Sequence, residues 1–370
     1  MNQTSKSATP PALDRATAAL QAAGVDALLI GPGADLRYLT GYLALPLERM
    51  TLLVARADGE HTLIVPTLER ARAEAHPLPE DLRVTDFGET DDPYAVAAAA
   101  LKGIEQGTLG AGDVLWSMFL LGLQRALPGA GWVRASTVTR ELRMRKAPAE
   151  VDALRRVGQA IDRVHAGVAA LLRPGRTEAE VGRDIAASIL AEGHDTADFT
   201  IVASGPNGAS PHHELSDRVI ETGDAVVVDI GGSLGGYFSD STRNYVLGHP
   251  PDGYAEAHAV LERAQAAAVA HARPGVTAES VDAAARQVLT DAGLGERFIH
   301  RTGHGIGLEV HEEPYIVAGN QQVLEPGMAF SVEPGVYLPG RFGQRIEDIV
   351  VVTGDGCERM NNRPTAFQVV

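Results

Sequence analysis

The chain has 370 residues, of which 45% are hydrophobic and 22% are charged, and its formal net charge is −16. This length exceeds what one hydrophobic core usually supports and favours two domains, while the acidic balance, with no basic run to offset it, argues against a nucleic-acid-binding protein. No segment approaches the stretch of about 18 apolar residues that crosses a membrane, and the single cysteine, Cys357, excludes an internal disulfide and favours a reducing compartment, so we expect a cytoplasmic protein.

The first part of the chain, residues 1–143, predicts a small α/β domain. Its opening letters, "MNQTSKSATPPALD", are polar and contain proline, so we expect no signal-peptide core there. Short apolar runs then alternate with alanine-rich segments of helical composition, the runs being "DALLI", "TLLVA", "HTLIV" and "LRVTDF". The segment "GPGADL" lacks the third glycine of a dinucleotide-binding fingerprint and no Walker A string is present, so nothing supports nucleotide binding.

A basic link that contains proline, "MRKAPAE" (144–150), leads into a second domain, which we place at residues 147–370. Apolar residues recur at steps of three and four from Val151 to Leu171, which predicts an amphipathic helix. The segments "RPGRTEAEV" (173–181) and "RPGVTAESV" (273–281) match each other at an offset of 100. Each opens a predicted helix, with Thr177 and Thr277 as expected N-caps.

A second pair of matching segments lies further along. "ETGDAVVVDIGG" (221–232) matches "LEPGMAFSVEPGV" (324–336), with Asp229 in register with Glu333. Each half therefore runs helix, turn, helix, glycine-rich segment and a strand that carries an acid. The second domain is predicted to be two copies of one unit, and equivalent residues of such copies tend to face each other across one core.

Four acids stand out in these apolar strands: Asp229, Asp240, Glu333 and Glu347. A carboxylate in such a strand is costly unless something pairs with it. Any one of them could form a salt bridge or lie at a strand end in water. Four acids, two from each half, instead indicate a shared partner.

Two divalent cations would balance the four negative charges. Four carboxylates with one or two histidines suit a pair of hard or borderline metal ions better than a structural zinc, so manganese is the first choice and cobalt or zinc the alternatives. Such a pair can activate a water molecule and polarise a carbonyl, which is the chemistry of hydrolysis. The stretch "RTGHGIGLEVHEEP" (301–314) would supply His304 as the nitrogen ligand, and its glycines would let the backbone approach the metals closely.

The motifs around these residues resemble those of a known family. They read "VVVDIGG", "FSDSTR", "HRTGHGIGLEVHE", "AFSVEPGVY" and "RIEDIV". These strings are similar to the motifs of the pita-bread metallopeptidases, which include prolidase, aminopeptidase P and methionine aminopeptidase, with creatinase as a metal-free relative. The resemblance covers about residues 150–370, and the first domain is more loosely similar to the creatinase-type N-terminal domain. It implies an α+β fold, in which a pita-bread domain with an internal pseudo-twofold repeat follows a smaller α/β domain.

The resemblance also implies a role for each acid and for His304. Asp229 would chelate one metal ion, and Asp240 and Glu347 would bridge both ions of the subunit. His304 and Glu333 would complete the second metal site, and Glu333 would also move the proton as general base and general acid.

Further positions match the family and carry other implied roles. His212, in "VASGPNGASPHHE", would line the substrate site, and His311 would help to stabilise the tetrahedral intermediate. Arg345 would hold the substrate carboxylate or the network around it. Tyr237 and His300 stay open as members of the site.

Two other classes of protein fit less well. "GGSLG" (231–235) satisfies the G-x-S-x-G pattern of serine hydrolases, but that motif needs a helix after the serine, whereas "GYFSDSTRNYVL" predicts a second strand. We therefore expect Ser233 to lie in a hairpin. A binding protein that had lost catalysis would be expected to lack a metal ligand, and all five are present.

Within the family, the first domain argues against a methionine aminopeptidase and the complete acid set argues against creatinase. The string "GHGIGLEVHEEP" and the short first domain favour a prolidase, that is, a metal-dependent Xaa-Pro dipeptidase. The alternative is an aminopeptidase P that acts on longer peptides. In both cases the substrates are small peptides with proline in second position, and the resemblance implies a homodimer.

Overall fold

The computed structural model describes residues 12–370, and these divide into one unit up to Arg143 and another from Met144. Most of the opening segment in which we expect no signal-peptide core lies outside the described residues. No helix within residues 12–370 combines the length and the apolar character needed to cross a membrane.

The first unit alternates six helices with six strands along its described residues. The helices are α1 (Ala12–Ala23), α2 (Ala34–Thr40), α3 (Thr67–Glu74), α4 (Pro93–Ala100), α5 (Ser117–Ala126) and α6 (Ser136–Met144). The strands are β1 (Ala27–Ile30), β2 (Leu52–Arg56), β3 (His61–Pro66), β4 (Leu82–Phe87), β5 (Thr108–Ala111) and β6 (Gly131–Arg134).

The six strands form one mixed sheet in the order β4-β3-β2-β1-β5-β6. Strand β1 is central and apolar on both faces, because Leu28 and Ile30 pack into one hydrophobic core while Ala27 and Leu29 pack into the other. Helices cover both faces, as an apolar strand of this kind requires. The four apolar runs predicted as strands are confirmed as β1 to β4, and the alternation of helices and strands confirms the α/β prediction for this part of the chain.

The second unit contains two helix pairs and two main sheets. Its helices are α7 (Pro148–Leu171), α8 (Glu178–Ala191), α9 (Tyr254–His271) and α10 (Ala278–Asp291), and its 3₁₀ turns are Gly205–Ala209 and Gly295–Arg297. The strands of its first half are β7 (Thr196–Ser204), β8 (Ala225–Leu234), β9 (Tyr237–Phe238) and β10 (Ser241–Val246). Those that follow are β11 (Gly303–Gly305), β12 (Glu312–Ile316), β13 (Ala329–Val332), β14 (Gly335–Leu338), β15 (Phe342–Arg345), β16 (Asp348–Val352), β17 (Cys357–Arg359) and β18 (Gln368–Val369).

Each half of this unit buries one helix pair against one sheet. Helices α7 and α8 pack on the sheet β18-β10-β8-β7, through residues such as Ile161, Ile185 and Val228. Helices α9 and α10 pack in the same way on β12-β11-β13-β16-β17. Burying each large aliphatic side chain contributes roughly 1.5–3 kcal/mol, so these two cores hold the sheets that carry the acids.

The predicted internal repeat appears in matching local contacts. Thr177 forms an isolated bridge with Val219, and Thr277 forms the equivalent bridge with Val323. Both threonines occupy the N-cap positions of their helices, as predicted. The Thr177 side chain accepts a hydrogen bond from the backbone of Glu180, whereas the Thr277 side chain makes no such cap bond. The α+β fold with a repeated second unit is thus confirmed.

Candidate metal centre

Two of the predicted acids share one face of the first sheet of the second unit. Asp229 lies in β8 and Asp240 immediately precedes β10. Asp229 pairs across this antiparallel ladder with Thr242, and side chains two residues apart along a strand point to the same face. Asp240 therefore shares a face with Asp229, and both side chains are buried.

The other two acids adjoin the corresponding strands of the second half. Glu333 follows β13, Glu347 precedes β16, and Val332 pairs with Asp348 in the ladder between these strands. One step further along, Glu333 lies opposite Glu347, and the same antiparallel register resumes beyond them in β14 and β15. Glu347 is buried, while the Glu333 side chain keeps 15% of its surface exposed.

His304, in β11, joins the acids of the two halves. Its Nε2 atom lies 3.2 Å from Glu333 Oε1 and 3.6 Å from Asp240 Oδ2. Its Nδ1 atom lies 3.1 Å from the carbonyl oxygen of Gly305, which fixes the ring and leaves Nε2 facing the acids. One ligand atom each from Asp240, His304 and Glu347 lies within 4.8 Å of the others. The repeat therefore converges on one point, as two copies of a unit would.

The donor atoms at this point suit divalent cations. Among residues 12–370, Asp229 Oδ1 and Glu347 Oε1 are buried and accept no hydrogen bond. An orphaned buried carboxylate oxygen is costly, and metal coordination is one of the few ways to satisfy it. An oxygen-rich set with one imidazole is also the donor chemistry of hard and borderline ions.

The electrostatics of the cluster agree with that fit. Burial raises the pKa of Asp240 well above its usual value, and the nearby Asp229 carboxylate raises it further. Burial and the Asp240 carboxylate act on Glu347 in the same direction. Burial lowers the pKa of His304, but its hydrogen bond to Glu333 and the surrounding acids outweigh this effect and raise that pKa above its usual value. The acids therefore stabilise positive charge at this point, which is what a bound cation supplies.

The glycines around His304 allow the neighbouring strands to pack closely. A β-carbon at Gly303 would lie 1.8 Å from the carbonyl oxygen of Ser331, and one at Gly305 would lie 2.2 Å from that of Glu313. These positions need glycine because β12 and β13 pass close to β11. The glycines thus place His304 through strand packing. The expected close approach of this backbone to the metals stays a prediction.

Arg345 is fully engaged with the protein around the acids. Its Nη2 atom donates to Asp229 Oδ2, and its Nε donates to Thr242 Oγ1 at 3.1 Å. The Thr242 hydroxyl in turn donates to Glu347 Oε2 at 2.7 Å. Of the two roles expected for Arg345, holding the substrate carboxylate or holding the surrounding network, these contacts favour the network. The sequence did not single out Thr242, although it lies two residues after Asp240 on the same strand face.

Tyr337 connects this arginine to His300. Arg345 Nη1 donates to the Tyr337 hydroxyl at 2.8 Å, and that hydroxyl lies 2.8 Å from His300 Nε2. Burial raises the pKa of Tyr337 to about 12, so its oxygen stays protonated. Burial also lowers the pKa of His300. His300, left open by the sequence, therefore adjoins the centre through Tyr337. The sequence missed Tyr337, although it lies in β14 only four residues after Glu333.

The two remaining histidines lie beside the centre. The rings of His311 and His304 meet edge to face with centroids 4.1 Å apart, and burial lowers the pKa of His311 to about 4. His212 is exposed and lies within electrostatic range of both His311 and His300. The carbonyl oxygen of Pro211, the preceding residue, accepts a hydrogen bond from Arg345 Nη1 at 3.3 Å.

Two other residues make described hydrogen bonds to groups outside the acid cluster. The Tyr237 hydroxyl donates at 2.9 Å to Glu150, in the first turn of α7. The Ser233 hydroxyl lies 2.6 Å from the Thr196 hydroxyl. Ser233 lies in β8, which continues through a hairpin into β9 and not into a helix. The geometry of a serine-hydrolase nucleophile is therefore missing at Ser233.

Comparison with known families identifies this arrangement. The sequence pattern of the family described as "Metallopeptidase family M24" matches residues 152–354, more than half of the chain. The chain belongs to metallopeptidase family M24. A second pattern, the "Creatinase/Prolidase N-terminal domain", matches residues 13–145. The predicted resemblance is thus confirmed over both parts of the chain.

Individual M24 relatives align over nearly the whole length. "Probable dipeptidase PepE" of Mycobacterium bovis is 55% identical over 96% of this chain and 95% of the relative. "Xaa-Pro dipeptidase" of Lactobacillus delbrueckii subsp. lactis is 37% identical over 97% of this chain and 98% of the relative. The crystal structure of dipeptidase PepE from Mycobacterium ulcerans superimposes with a TM-score of 0.92 at 54% identity and covers 97% of each chain. Membership of M24 makes the chain a metallopeptidase and implies divalent metal ions, which the residues described above fit.

Proposed function

We propose that this chain hydrolyses Xaa-Pro dipeptides with the help of two divalent metal ions. The observation that carries the proposal is the convergence of His304 with acids from both halves, two of which have buried oxygens that accept no hydrogen bond among residues 12–370. The word "dipeptidase" in the names of two M24 relatives supports the length of the substrate. The name of the Lactobacillus relative supports proline as the second residue.

Five side chains would hold the ions: Asp229, Asp240, His304, Glu333 and Glu347. When bound, two divalent ions at such a site polarise the scissile carbonyl and make a water molecule a better nucleophile at neutral pH. We propose manganese as the resident ion because four of the five side chains are carboxylates, with cobalt or zinc as alternatives. Metal analysis of protein purified without added metal checks this choice.

Glu333 is the proposed proton carrier. Its carboxylate accepts a proton from the attacking water and passes it to the proline nitrogen as the carbon–nitrogen bond breaks. The Ser331 hydroxyl donates to Glu333 Oε1 at 3.1 Å and His304 Nε2 lies 3.2 Å from the same atom, so the carboxylate is held in place. Its partial exposure leaves it accessible to water, unlike the buried Glu347.

His311 and His212 would act on the substrate side of the centre. His311 packs its ring against His304, and a ring N–H there can donate to the oxygen that becomes negative in the tetrahedral intermediate. His212 is exposed on the same side and would bind the substrate. Arg345 would act behind the acids, since its contacts orient Asp229 and, through Thr242, Glu347.

Kinetics on three matched peptides test this function. Ala-Pro should be hydrolysed well, and Ala-Pro-Gly should have a kcat/KM at least ~10-fold lower. The kcat/KM of Ala-Ala should be lower again, because a pocket shaped for the proline ring discriminates by this order or more. Equal rates on Ala-Pro and Ala-Pro-Gly would instead support an aminopeptidase P. Equal rates on Ala-Pro and Ala-Ala would remove proline from the proposal, and no hydrolysis of any peptide by the metal-loaded protein would refute it.

We also propose a homodimer, on the family resemblance, and a cytoplasmic location, on the single cysteine of the chain. Light scattering after size-exclusion chromatography checks the dimer, since one subunit has a mass of 39.0 kDa. Cell fractionation checks the location.

A further inference from the structure

The two halves of the second unit differ in one connection. In the first half, residues 205–218 join the end of β7 to the bridge at Val219, whereas in the second half only residues 317–322 join the end of β12 to the bridge at Val323. The longer connection carries His212. Its 3₁₀ turn packs so closely on β15 that a β-carbon at Gly343 would lie 1.7 Å from the carbonyl oxygen of Gly208.

One buried carboxylate collects the polar groups of this longer connection. Glu178, the first residue of α8, is fully buried, and its Oε1 accepts from the backbone N and the hydroxyl of Ser204, both at 2.7 Å. Its Oε2 accepts from the Ser216 hydroxyl and lies 2.7 Å from His213 Nε2. The Asn207 amide donates to both oxygens, at 3.1 and 3.2 Å.

These bonds satisfy the buried carboxylate and fix the connection at both ends. Burial raises the pKa of Glu178, but the bonds from Ser216, Ser204 and His213 outweigh it and leave that pKa below its usual value. The carboxylate is therefore ionised, and hydrogen bonds to an ionised acceptor are the strong ones. Residues from Ser204 to Ser216 are thus tied to the first turn of α8, with His212 between the tied points.

The second half provides an internal comparison. At the position of Glu178 the repeat has Ala278, in "RPGVTAESV" against "RPGRTEAEV". Both residues make the same backbone contact, because the Glu178 N–H donates to Arg218 O and the Ala278 N–H donates to Gln322 O. The backbone of the repeat therefore forms without this carboxylate. The acid occurs only in the half whose connection reaches the metal centre.

The connection reaches the centre at a defined point. Pro211, between the tied residues Asn207 and His213, accepts a hydrogen bond from Arg345, which in turn donates to Asp229. His212 follows Pro211 directly. The position of its imidazole on the substrate side thus depends on the path of residues 205–218.

We propose that Glu178 is a positioning residue, which holds the connection over residues 205–218 so that His212 meets the substrate. This inference rests on the proposed function, because it takes His212 to bind the substrate. It goes beyond that function in assigning the placement of His212 to a carboxylate that contacts none of the five proposed metal ligands in the described hydrogen bonds.

The test compares Glu178→Gln with Glu180→Gln on the metal-loaded full chain. Glu180 is a matched control, since it lies in the same turn and its exposed side chain bonds only the N-cap backbone of α8 in the described contacts. Glu178→Gln should lower kcat/KM for Ala-Pro by at least ~10-fold, the scale of a lost bond to a charged group, and should leave the metal content unchanged. Glu180→Gln should change neither quantity.

A double-variant cycle separates positioning from a general loss of structure. In a His212→Ala background, Glu178→Gln should lower kcat/KM by less than about threefold, because residues that act through one another are not additive. The proposal would be overturned if Glu178→Gln lowered kcat/KM by the same factor in the unaltered chain and in the His212→Ala background. It would also be overturned if His212→Ala alone left kcat/KM unchanged.

Two further measurements keep the test decisive if Glu178→Gln folds poorly. His213→Ala removes one donor to Glu178 and should lower kcat/KM, while His213→Gln, which keeps a donor, should restore it at least in part. Hydrogen exchange of residues 205–218 should be faster in both Glu178→Gln and His213→Ala than in the unaltered chain, and unchanged exchange would refute the proposal. This readout needs no activity, so a chain that does not cleave Ala-Pro at all would disprove the proposed function and leave the exchange result to decide on Glu178.

Discussion

Arg345→Ala distinguishes the two roles that the sequence left open for this arginine. The side chain either holds the substrate carboxylate or holds the network around the metal ligands. The side chain is 3% exposed and donates to Asp229, Thr242, Tyr337 and the carbonyl of Pro211. A guanidinium has five N–H donors. Arg345 thus already makes four hydrogen bonds within the protein. The truncation would leave Asp229 without its charge-assisted partner.

The expected loss follows from that partner. A hydrogen bond to a charged group contributes about 1.5–3 kcal/mol, which corresponds to a fall of ~10- to 100-fold in kcat/KM. Because Arg345→Ala disturbs the metal ligands and not a contact with the substrate, the activities on Ala-Pro and Ala-Pro-Gly should fall by the same factor. The metal content should fall as well. Steady-state kinetics on both peptides and metal analysis of the same samples measure these effects.

Arg341→Ala alters an exposed arginine next to β15, whose Nη2 donates to the carbonyl of Asp252, and should leave both rates and the metal content unchanged. If Arg345→Ala weakens only Ala-Pro cleavage and the metal content stays normal, then Arg345 holds the free carboxylate of the dipeptide. The scaffold role argued from Asp229 and Thr242 would then be wrong.

Three further substitutions have expected outcomes. Glu333→Gln removes the proton carrier and a negative ligand, so kcat for Ala-Pro should fall by at least ~10²-fold and metal occupancy should drop; near-normal turnover would show that the ligand set is wrong. Ser233→Ala loses only a contact with Thr196, so activity should stay within about twofold and a serine-directed reagent should not inhibit the unaltered chain. Tyr237→Phe loses the bond to Glu150, so thermal unfolding should reflect a loss of about 1 kcal/mol while kcat/KM is unchanged, and a fall in kcat/KM would place Tyr237 in the active site.

The acids of the centre were predictable because strand periodicity and the internal repeat both constrain them. Asp229 and Glu333 are in register between the halves. An acid in an apolar strand is also conspicuous, because burying a carboxylate without a partner costs free energy. His304 was predictable because a metal pair held by four carboxylates can take a nitrogen ligand, and the glycine-rich stretch 301–314 supplies a histidine. In the first unit, the apolar runs predicted β1 to β4, but the order of the mixed sheet depends on long-range pairing that the runs do not encode.

The connections between side chains were less predictable. The partners of Arg345 come from strands and a turn that are distant in the sequence. Spacing along the chain predicts which face of a strand a side chain occupies, but not which side chains of other elements contact it there. Glu178 shows the same limit, because an acid in the first turn of a helix ordinarily indicates capping or the helix dipole. Its burial beneath residues 205–218 becomes visible only when the connection is folded. The difference from Ala278 was the one signal in the sequence that could have found it.

If hydrolysis depends on two metal ions, metal content and activity must change together when both are measured on the same protein. Protein stripped with a chelator should contain no divalent metal and should not hydrolyse Ala-Pro, and titration with manganese should restore hydrolysis in step with binding of two ions per chain. Asp240→Asn, which alters a proposed bridging ligand, should prevent both the binding and the recovery. Full hydrolysis by stripped protein, or full recovery in Asp240→Asn, would show that the proposed metal pair does not drive the reaction.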